Sequence, residues 1–309
     1  MAYSFETQES VPQSISRVVL EQIDGAIQDL TSEVIDPHEG VHEARKRFKM
    51  IRAVLRLIRG ELGEAYQKES TEFREFGKKL SAVRDAEAMI ETFDRLKDRF
   101  KQPLGTEAFS AVRDNLIQRR QTIADEQEDL ELRVREVVAG LQEARDRVAL
   151  WPLSKDSFEA IGAGLEKIYA DGRKLLNRAY LDSSAQNFHE WRKRVKDLWY
   201  HSRLLRDVWP QLMDGQIETL HRLSELLGDD HDLVVFRETM AAQPDVFGGA
   251  DNVERLRSFV DQRQQDLRTN AQPIGRRIYA EKPKQFCSRM EHYWGVSREQ
   301  YRRNNPQRF

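Results

Sequence analysis

Residues 38–60 read HEGVHEARKRFKMIRAVLRLIRG, with seven Lys or Arg residues and apolar residues at every third or fourth position. This spacing predicts an amphipathic α-helix, because residues three and four apart share one face of a helix. At about 100° per residue, the cations gather on one side. The opposite side, expected in a core, holds Ala44, Phe48, Ile51, Leu55 and Ile58. We call the cationic side the first stripe: His42, Arg45, Lys46, Lys49, Arg52 and Arg56.

A second copy of this pattern lies 147 positions further along, where residues 187–210 read NFHEWRKRVKDLWYHSRLLRDVWP. The same offset carries His42 onto His189 and, without a gap, Leu80 onto Leu227. The chain therefore contains an internal repeat, and each copy is predicted to present one stripe headed by a histidine. The second stripe consists of His189, Arg192, Lys193, Lys196 and Arg203.

The rest of the chain shows the same helical periodicity, and no strand pattern competes with it. We expect eight helices, near residues 12–35, 38–62, 64–100, 106–147, 154–181, 185–209, 212–241 and 250–280. Trp151 and Pro152 form a natural boundary midway. The prediction is an all-α protein of two pseudo-symmetric antiparallel four-helix bundles, residues 1–150 and 151–309, with apolar stripes turned inward.

Net charge does not explain the basic helices, because the chain has 50 Lys or Arg residues and 52 Asp or Glu residues. Any anion-binding surface must therefore come from segregated charge. Like charges four residues apart on a helix repel by a few tenths of a kcal/mol, roughly, and the repeat tolerates this cost twice. The pattern thus favours anion binding over a merely solvated helix face. Further cations are expected to contribute: Arg74, Lys78, Arg119, Arg120, Arg173, Arg178 and Arg206.

Phosphate is the expected anion, because Arg offers a bidentate fork and Lys a point charge. Proteins that bind single-stranded nucleic acid place aromatic residues among the cations, so that bases can stack. Here only Tyr200 faces the cationic side, whereas Trp191 and Trp199 are predicted on or near the core side. We therefore expect a phosphate chain without bases, inorganic polyphosphate, and not nucleic acid, as the specific ligand. A scaffold that recognises an acidic protein partner is the alternative.

A metal site is the alternative for His231, which lies among Asp229, Asp230 and Asp232. These residue types bind divalent ions, but a cationic surface is electrostatically unfavourable for a metal. The first copy also has Arg84 in place of His231. We therefore expect no metal. Asp232 and its repeat partner Asp85 are predicted to orient a stripe cation.

Catalysis has little support in the sequence. It contains no Gly-rich phosphate loop and no Ser-His-Asp pattern, and its one cysteine, Cys287, stands apart from both stripes. We expect a binding protein without a cofactor. A polyphosphate-processing enzyme, or one that forms a phosphohistidine at His42 or His189, remains the alternative.

The single cysteine excludes a disulfide within the chain and fits a reducing compartment. The N-terminal MAYSFETQES lacks the basic segment and apolar run of a signal peptide. No run of about 18 apolar residues is present, so no membrane span is expected. The expected location is cytoplasmic.

At these residues the sequence resembles the CHAD family, the conserved histidine α-helical domain. The resemblance rests on VHEARKRFKMIRAVLRL and FHEWRKRVKDLWYHSRLL, followed by the Asp-containing segments SAVRDAE and LLGDDHDLVVF. GLEKIYADGRKLL and RRIYAEKPKQFCSRMEHYW are also similar to that family, so the resemblance covers nearly the whole chain.

This resemblance implies two pseudo-symmetric bundles around a basic groove or pore that binds inorganic polyphosphate. Many relatives carry a triphosphate-tunnel hydrolase domain first, whereas this sequence begins at the helical part, which favours binding over hydrolysis. Some relatives associate with polyphosphate granules, an expected location here too. The ligand contacts that the resemblance implies are His42, Arg45, Lys46, Lys49, Arg56, His189, Arg192, Lys193, Lys196 and Arg203.

Overall fold

The computed structural model describes the backbone of residues 3–80, 82–101, 107–125 and 130–308. The side chains of residues 82–85, 107, 108, 123–125 and 308 lie outside this description. The described residues form twelve α-helices and contain no β-strand, which confirms the all-α prediction. Within the same residues, no helix is both long enough and apolar enough to cross a bilayer.

The helices are numbered in chain order. The first half contributes α1 (Val11–Thr31), α2 (Pro37–Leu57), α3 (Arg59–Leu62), α4 (Ala65–Lys79), α5 (Ala82–Arg99), α6 (Glu107–Asp125) and α7 (Leu130–Val148). The second half contributes α8 (Glu159–Leu181), α9 (Ala185–Leu204), α10 (Pro210–Ala242), α11 (Ala250–Ile278) and α12 (Pro283–Asn304). The stripes therefore lie on α2 and α9.

The predicted count of eight helices was wrong, chiefly because long periodic stretches contain breaks. The backbone leaves helical geometry at Ile58 (φ −98°, ψ 17°), which separates α2 from α3. It does so again at Leu80 (φ −103°, ψ 19°), between α4 and α5. Helix α12 was missed altogether, although it buries Phe286, Met290 and Trp294 at four-residue spacing.

Local sequence determines where the stripe helices begin. The Asp36 carboxylate accepts hydrogen bonds from the backbone N–H groups of His38 (2.9 Å) and Glu39 (3.3 Å), and Pro37 suits the first helical position. In α9, the Ser184 hydroxyl accepts a hydrogen bond from the Asn187 N–H at 3.4 Å. Each helix therefore starts one turn before its histidine.

Burial of the apolar side of α2 determines which side faces outward. The five residues expected in the core are each 1% exposed or less, which confirms the prediction for this helix. Burying a large apolar side chain contributes about 1.5–3 kcal/mol. The helix also lies close to α8, because a Cβ at Gly164 would come within 1.9 Å of the Leu57 carbonyl oxygen. The first stripe is thereby held on the side away from the core.

Two hydrophobic cores hold the helices together, and each draws side chains from both halves of the sequence. The larger core joins α1, α2, α4 and α7 to α8, α9, α10 and α12. The smaller one packs Phe93 of α5 and Leu116 of α6 against Phe236 of α10 and Leu256 of α11. Helix α10, 33 residues long, contributes to both. The division into bundles at residue 150 stays a prediction.

A buried polar network fixes α2 against α9. Asp197 lies 2.9 Å from Arg56 of the first stripe and 3.2 Å from Arg194 of its own helix. The fully buried His201 donates a hydrogen bond from Nε2 to the Ala53 carbonyl at 2.8 Å. Burial lowers the pKa of His201 to about 4, so its imidazole is neutral at neutral pH. This network fixes the position of the second stripe relative to the first.

Candidate anion-binding groove

A groove with a volume of about 940 Å³ lies between α2, α5, α9 and α10. The two stripes meet in it. The first stripe contributes His42, Arg45, Lys46 and Lys49, and the second contributes Arg192, Lys196 and Arg203. The repeat therefore brings equivalent residues from two helices to one concavity.

The groove has a large excess of positive charge. Its cationic side chains are Arg45, Lys46, Lys49, Arg95, Arg192, Lys196, Arg203 and Arg222. Three carboxylates oppose these eight cations: Glu225, Asp229 and Asp232. Two of the three lie near Arg95 of α5, with Asp229 at 3.7 Å and Asp232 at 3.1 Å. A concave surface of one predominant sign concentrates the electrostatic potential inside it.

The cations of the second stripe are partly desolvated. Burial lowers the pKa of Arg192, and its Nε atom is buried without a hydrogen-bond partner among the described residues. Burial also lowers the pKa of Lys196 to about 8, with further contributions from the positive charges of Arg192 and Lys46. Asp232 offsets part of this effect. Because Lys46 belongs to α2, the charges of the two stripes act on each other across the groove.

Lys46 and Lys49 of the first stripe are more exposed than Arg192 and Lys196. Lys46 pairs with Glu43 at 2.7 Å, an exposed contact one helical turn away. Such surface pairs contribute about 0–1 kcal/mol, so an incoming anion can displace the glutamate at little cost. Arg45 donates from Nη1 to the Leu80 carbonyl at 2.9 Å, which ties it to the end of α4.

A smaller pocket of about 200 Å³ adjoins the groove between α2 and α4, and we call it the first cradle. Its lining is Arg45, Phe48, Lys49, Arg52, Phe73, Arg74, Gly77 and Lys78. Burial and the nearby charge of Arg56 lower the pKa of Arg52 to about 10. Arg74 and Lys78 both pair with Glu75, at 2.9 and 3.1 Å. Since Arg45 and Lys49 line both concavities, the cationic surface is continuous.

The two stripe histidines differ in position. His42 lines the groove directly, whereas His189 reaches it through His231, whose ring centroid lies 4.3 Å from its own. Burial, followed by the charges of Lys193 and Arg192, lowers the pKa of His189. Burial and Arg192 lower the pKa of His231 to about 4. Both rings are therefore neutral at neutral pH and can donate one N–H each.

The aspartates that could have formed a metal site with His231 pair with arginines instead. Asp230 is buried and lies 2.6 Å from Arg268. Asp232 forms a hydrogen bond with Arg95 of α5, and its charge also acts on Arg192 and Lys196, so its predicted role in orienting a stripe cation stays a prediction. The described residues bring together no group of three metal-ligating side chains. The side chain of Asp85 lies outside the described residues.

Ten of the eighteen predicted binding residues line the groove or the first cradle. The structure does not bring the other eight there: Arg56, Arg119, Arg120, Arg173, Arg178, His189, Lys193 and Arg206. Five of these have partners elsewhere, since Arg56 pairs with Asp197, Arg119 with Gln243, Arg120 with Glu87, Lys193 with Glu190 and Arg206 with Asp214. Ligand contact by the ten remains a prediction.

Sequence reasoning also missed several residues of the groove wall, among them Arg95, Trp199, His221 and Arg222. Trp199 was predicted on or near the core side, and its half-buried ring both packs against the larger core and lines the groove. Trp199 lies ten positions after His189, at the edge of the stripe, as Arg52 does after His42. Helical periodicity therefore contained the signal for Trp199. Arg95 and Arg222 lie outside both stripe helices and gave no such signal.

Comparison with known proteins agrees with this architecture. The family model described as the CHAD domain matches residues 18–241 of the chain. Among solved structures, the crystal structure of the CHAD domain from the plant Ricinus communis is similar, with a TM-score of 0.62. That alignment covers 91% of this chain and 95% of the plant chain at 17% sequence identity, so it supports the fold alone. No curated protein is significantly similar to this chain.

Proposed function

We propose that this chain, which belongs to the CHAD domain family, binds inorganic polyphosphate in the groove and does not turn it over. The observation that carries the proposal is that both stripes line one concavity. A single extended polyanion lying in the groove contacts α2 and α9 together. Neither stripe alone surrounds its ligand.

Electrostatics in the groove favours a densely charged, narrow anion. Lys196 and Arg192 are desolvated and have no ion pair with any described residue, so the fold carries an electrostatic cost that an anion relieves. Polyphosphate supplies one negative charge per phosphate and needs no room for bases. The Arg side chains can grip two oxygens each, and the Lys side chains supply point charges.

The length of the cationic surface is the second argument for a polyphosphate chain as the ligand. Residues 42 and 52 of α2 are separated by about 15 Å along the helix axis, at about 1.5 Å per residue. The cationic surface therefore extends beyond one phosphate, from His42 through Lys49 to Arg52 in the first cradle. A chain that engages several of these cations gains effective concentration at each successive contact. We accordingly propose that long chains are preferred and that polyphosphate granules are the cellular target.

Titration with long-chain polyphosphate tests this function. Reversing two groove charges, Lys49→Glu with Lys196→Glu, should reduce affinity by a hundredfold or more, roughly, because two charge-assisted contacts are lost and two repulsions gained. Lys282→Glu with Lys284→Glu changes the net charge equally on exposed residues outside the groove and serves as the matched control. Equal losses in both double variants would show diffuse charge attraction and contradict the proposal.

Two further measurements separate the alternatives. Polyphosphate should outcompete single-stranded DNA of equal charge at one fixed salt concentration, because the described lining of the groove has eight Lys or Arg residues and, apart from histidines, two aromatic residues, Trp199 and Tyr200. Sustained release of phosphate in the presence of Mg²⁺, abolished in His42→Ala, would instead establish an enzyme. Binding of acidic proteins that survives removal of polyphosphate would indicate a scaffold.

A further inference from the structure

The second copy of the repeat contains its own version of the first cradle, with a different composition. The 147-residue offset carries Arg45 onto Arg192 and Lys49 onto Lys196, so these cations are kept. The remaining cations are replaced: Arg52 by Trp199, Arg74 by His221 and Lys78 by Glu225, while Gly77 becomes Ser224. All six second-copy residues line the groove, and we call them the second cradle: Arg192, Lys196, Trp199, His221, Ser224 and Glu225.

The indole of the second cradle lies against two other rings at tilted angles. The Trp199 ring centroid lies 4.9 Å from that of His221, with planes inclined by 40°, and 4.8 Å from that of Tyr200. The Arg203 guanidinium lies over the indole at 5.2 Å. Trp199 Nε1 is buried and lacks a hydrogen-bond partner within the described part of the chain.

His221 marks a position where a planar ring lies against the indole at a tilt of 40°. Its side chain is 49% exposed, and it pairs with Glu225 at 3.7 Å. An exposed side chain held this weakly can move aside at small cost. The indole then offers its face to another flat, partly polar ring, and the Ser224 hydroxyl and Glu225 carboxylate lie in the same cradle to bond with ring substituents.

This combination of groups fits a nucleobase attached to phosphates. Stacking on an aromatic side chain accepts any base, because every base has a π-face. A bare phosphate chain would use the two cations and leave the rings without a role. We propose that the second cradle binds the base of a nucleoside oligophosphate whose phosphates lie on Arg192 and Lys196. This inference rests on the proposed phosphate-binding function of the groove.

Calorimetric titration of the full chain without divalent ions tests the inference. ATP and methyl triphosphate carry the same triphosphate monoester, so their affinity ratio isolates the contribution of the nucleoside. ATP should bind about fivefold to a hundredfold more tightly, the range that base stacking provides. Trp199→Leu should bring this ratio to about one while methyl triphosphate binding changes little, and Trp199→Phe should keep part of it. Trp209→Leu alters a 45% exposed tryptophan outside the groove and should keep the full ratio.

Saturation-transfer NMR on the unmodified protein gives a second readout that needs no variant. The adenine protons of ATP should receive more saturation than the ribose protons. An affinity ratio near one, a ratio that survives Trp199→Leu, or equal saturation of base and ribose overturns the inference. So does a 5′-phosphorylated trinucleotide that binds more tightly than ATP, since the cradle would then belong to nucleic acid.

Titration with inorganic tripolyphosphate distinguishes failure of the nucleoside inference from failure of the proposed polyphosphate binding. If it binds while ATP gains nothing over methyl triphosphate, only the nucleoside inference fails. If neither tripolyphosphate nor longer inorganic chains bind, the proposed function fails and the inference fails with it.

Discussion

The two stripes share five positions with the same residue types at the same spacing, yet the fold buries their cations to different extents. Lys46 and Lys49 of α2 are exposed, whereas Arg192 and Lys196 of α9 are half-buried and have lowered pKa values. The difference comes from the helix that follows each stripe. Helix α10 has 33 residues and packs along α9, whereas α4 has 15 and ends at Lys79. A repeated sequence motif thus specifies where charges lie, and the neighbouring helix determines how strongly each one acts.

The largest expected effect is a difference between the stripes in affinity for long-chain polyphosphate. Arg192→Gln with Lys196→Gln should weaken binding by a hundredfold or more, roughly, since hydrogen bonds to desolvated charges contribute about 1.5–3 kcal/mol each. Lys46→Gln with Lys49→Gln should cost about tenfold or less, because exposed ion pairs contribute about 0.2–1 kcal/mol. Titration at one salt concentration measures both. Equal losses would mean that burial does not distinguish the stripes.

The same burial should make the second stripe a source of instability in the free protein. Lys196→Met should raise the free energy of unfolding by about 2 kcal/mol at pH 7, because charging Lys196 is unfavourable in the fold. The folded pKa, about 8, lies below the ordinary value of 10.5, so the penalty is complete below pH 8 and fades as pH rises to 10.5. Urea unfolding at pH 7 and at pH 10, without polyanion, should show a gain at pH 7 and much less at pH 10.

Lys49→Met is the matched control, since Lys49 is the repeat equivalent of Lys196 on the other wall and is exposed. It should change the free energy of unfolding by no more than about 0.5 kcal/mol. A gain as large as that of Lys196→Met would show that removing any groove cation is stabilising, whatever its burial.

The pH dependence of binding should also depend on Lys196. Internal phosphates of a long chain keep one charge each between pH 7 and pH 10, so changes in affinity report the protein. Affinity should fall severalfold over this range, because Lys196 loses its proton above pH 8 in the free protein. Lys196→Arg should flatten the profile, since a guanidinium stays charged. If Lys196→Arg showed the same fall in affinity with pH as the unmodified protein, another group would be responsible for the titration.

The smallest expected effect compares Lys46 with its repeat partner Lys193. Each pairs with a glutamate three residues earlier, Glu43 or Glu190, but only Lys46 lines the groove. Lys46→Gln should weaken polyphosphate binding about threefold, the loss of one exposed contact. Lys193→Gln should leave affinity within experimental error. Equal losses of affinity in the two variants would indicate that the binding surface includes the outer side of α9.

Periodicity predicted the helical faces well because it depends only on local geometry. The apolar residues of α2 are buried as expected, and the repeat offset placed the second stripe correctly on α9. Arg95 could not be predicted, because it enters the groove from α5 through packing between the two halves of the chain. Arg56 has the stripe spacing but is drawn away by Asp197, a partner 141 positions distant.

Trp199 shows a different case, in which the helical pattern gave the angular position but the prediction covered only part of the surroundings. Its angular position matches that of Arg52, and it was predicted on or near the core side. The structure places its ring against the larger core and also on the groove wall, where the Arg203 guanidinium lies over it. A large side chain at the boundary between an apolar and a charged helix face can thus contact both.

The central claim is that both stripes bind one chain in a shared groove, and calorimetry with short and long polyphosphate tests it most directly. In Lys46→Glu with Lys49→Glu, long chains should lose far more affinity than chains of a few phosphates, because the long chain alone bridges both walls. Arg192→Glu with Lys196→Glu should show the same dependence on length, and stoichiometry should stay at that of the unmodified protein. Halved stoichiometry with unchanged affinity for long chains would show two independent sites and contradict the shared groove.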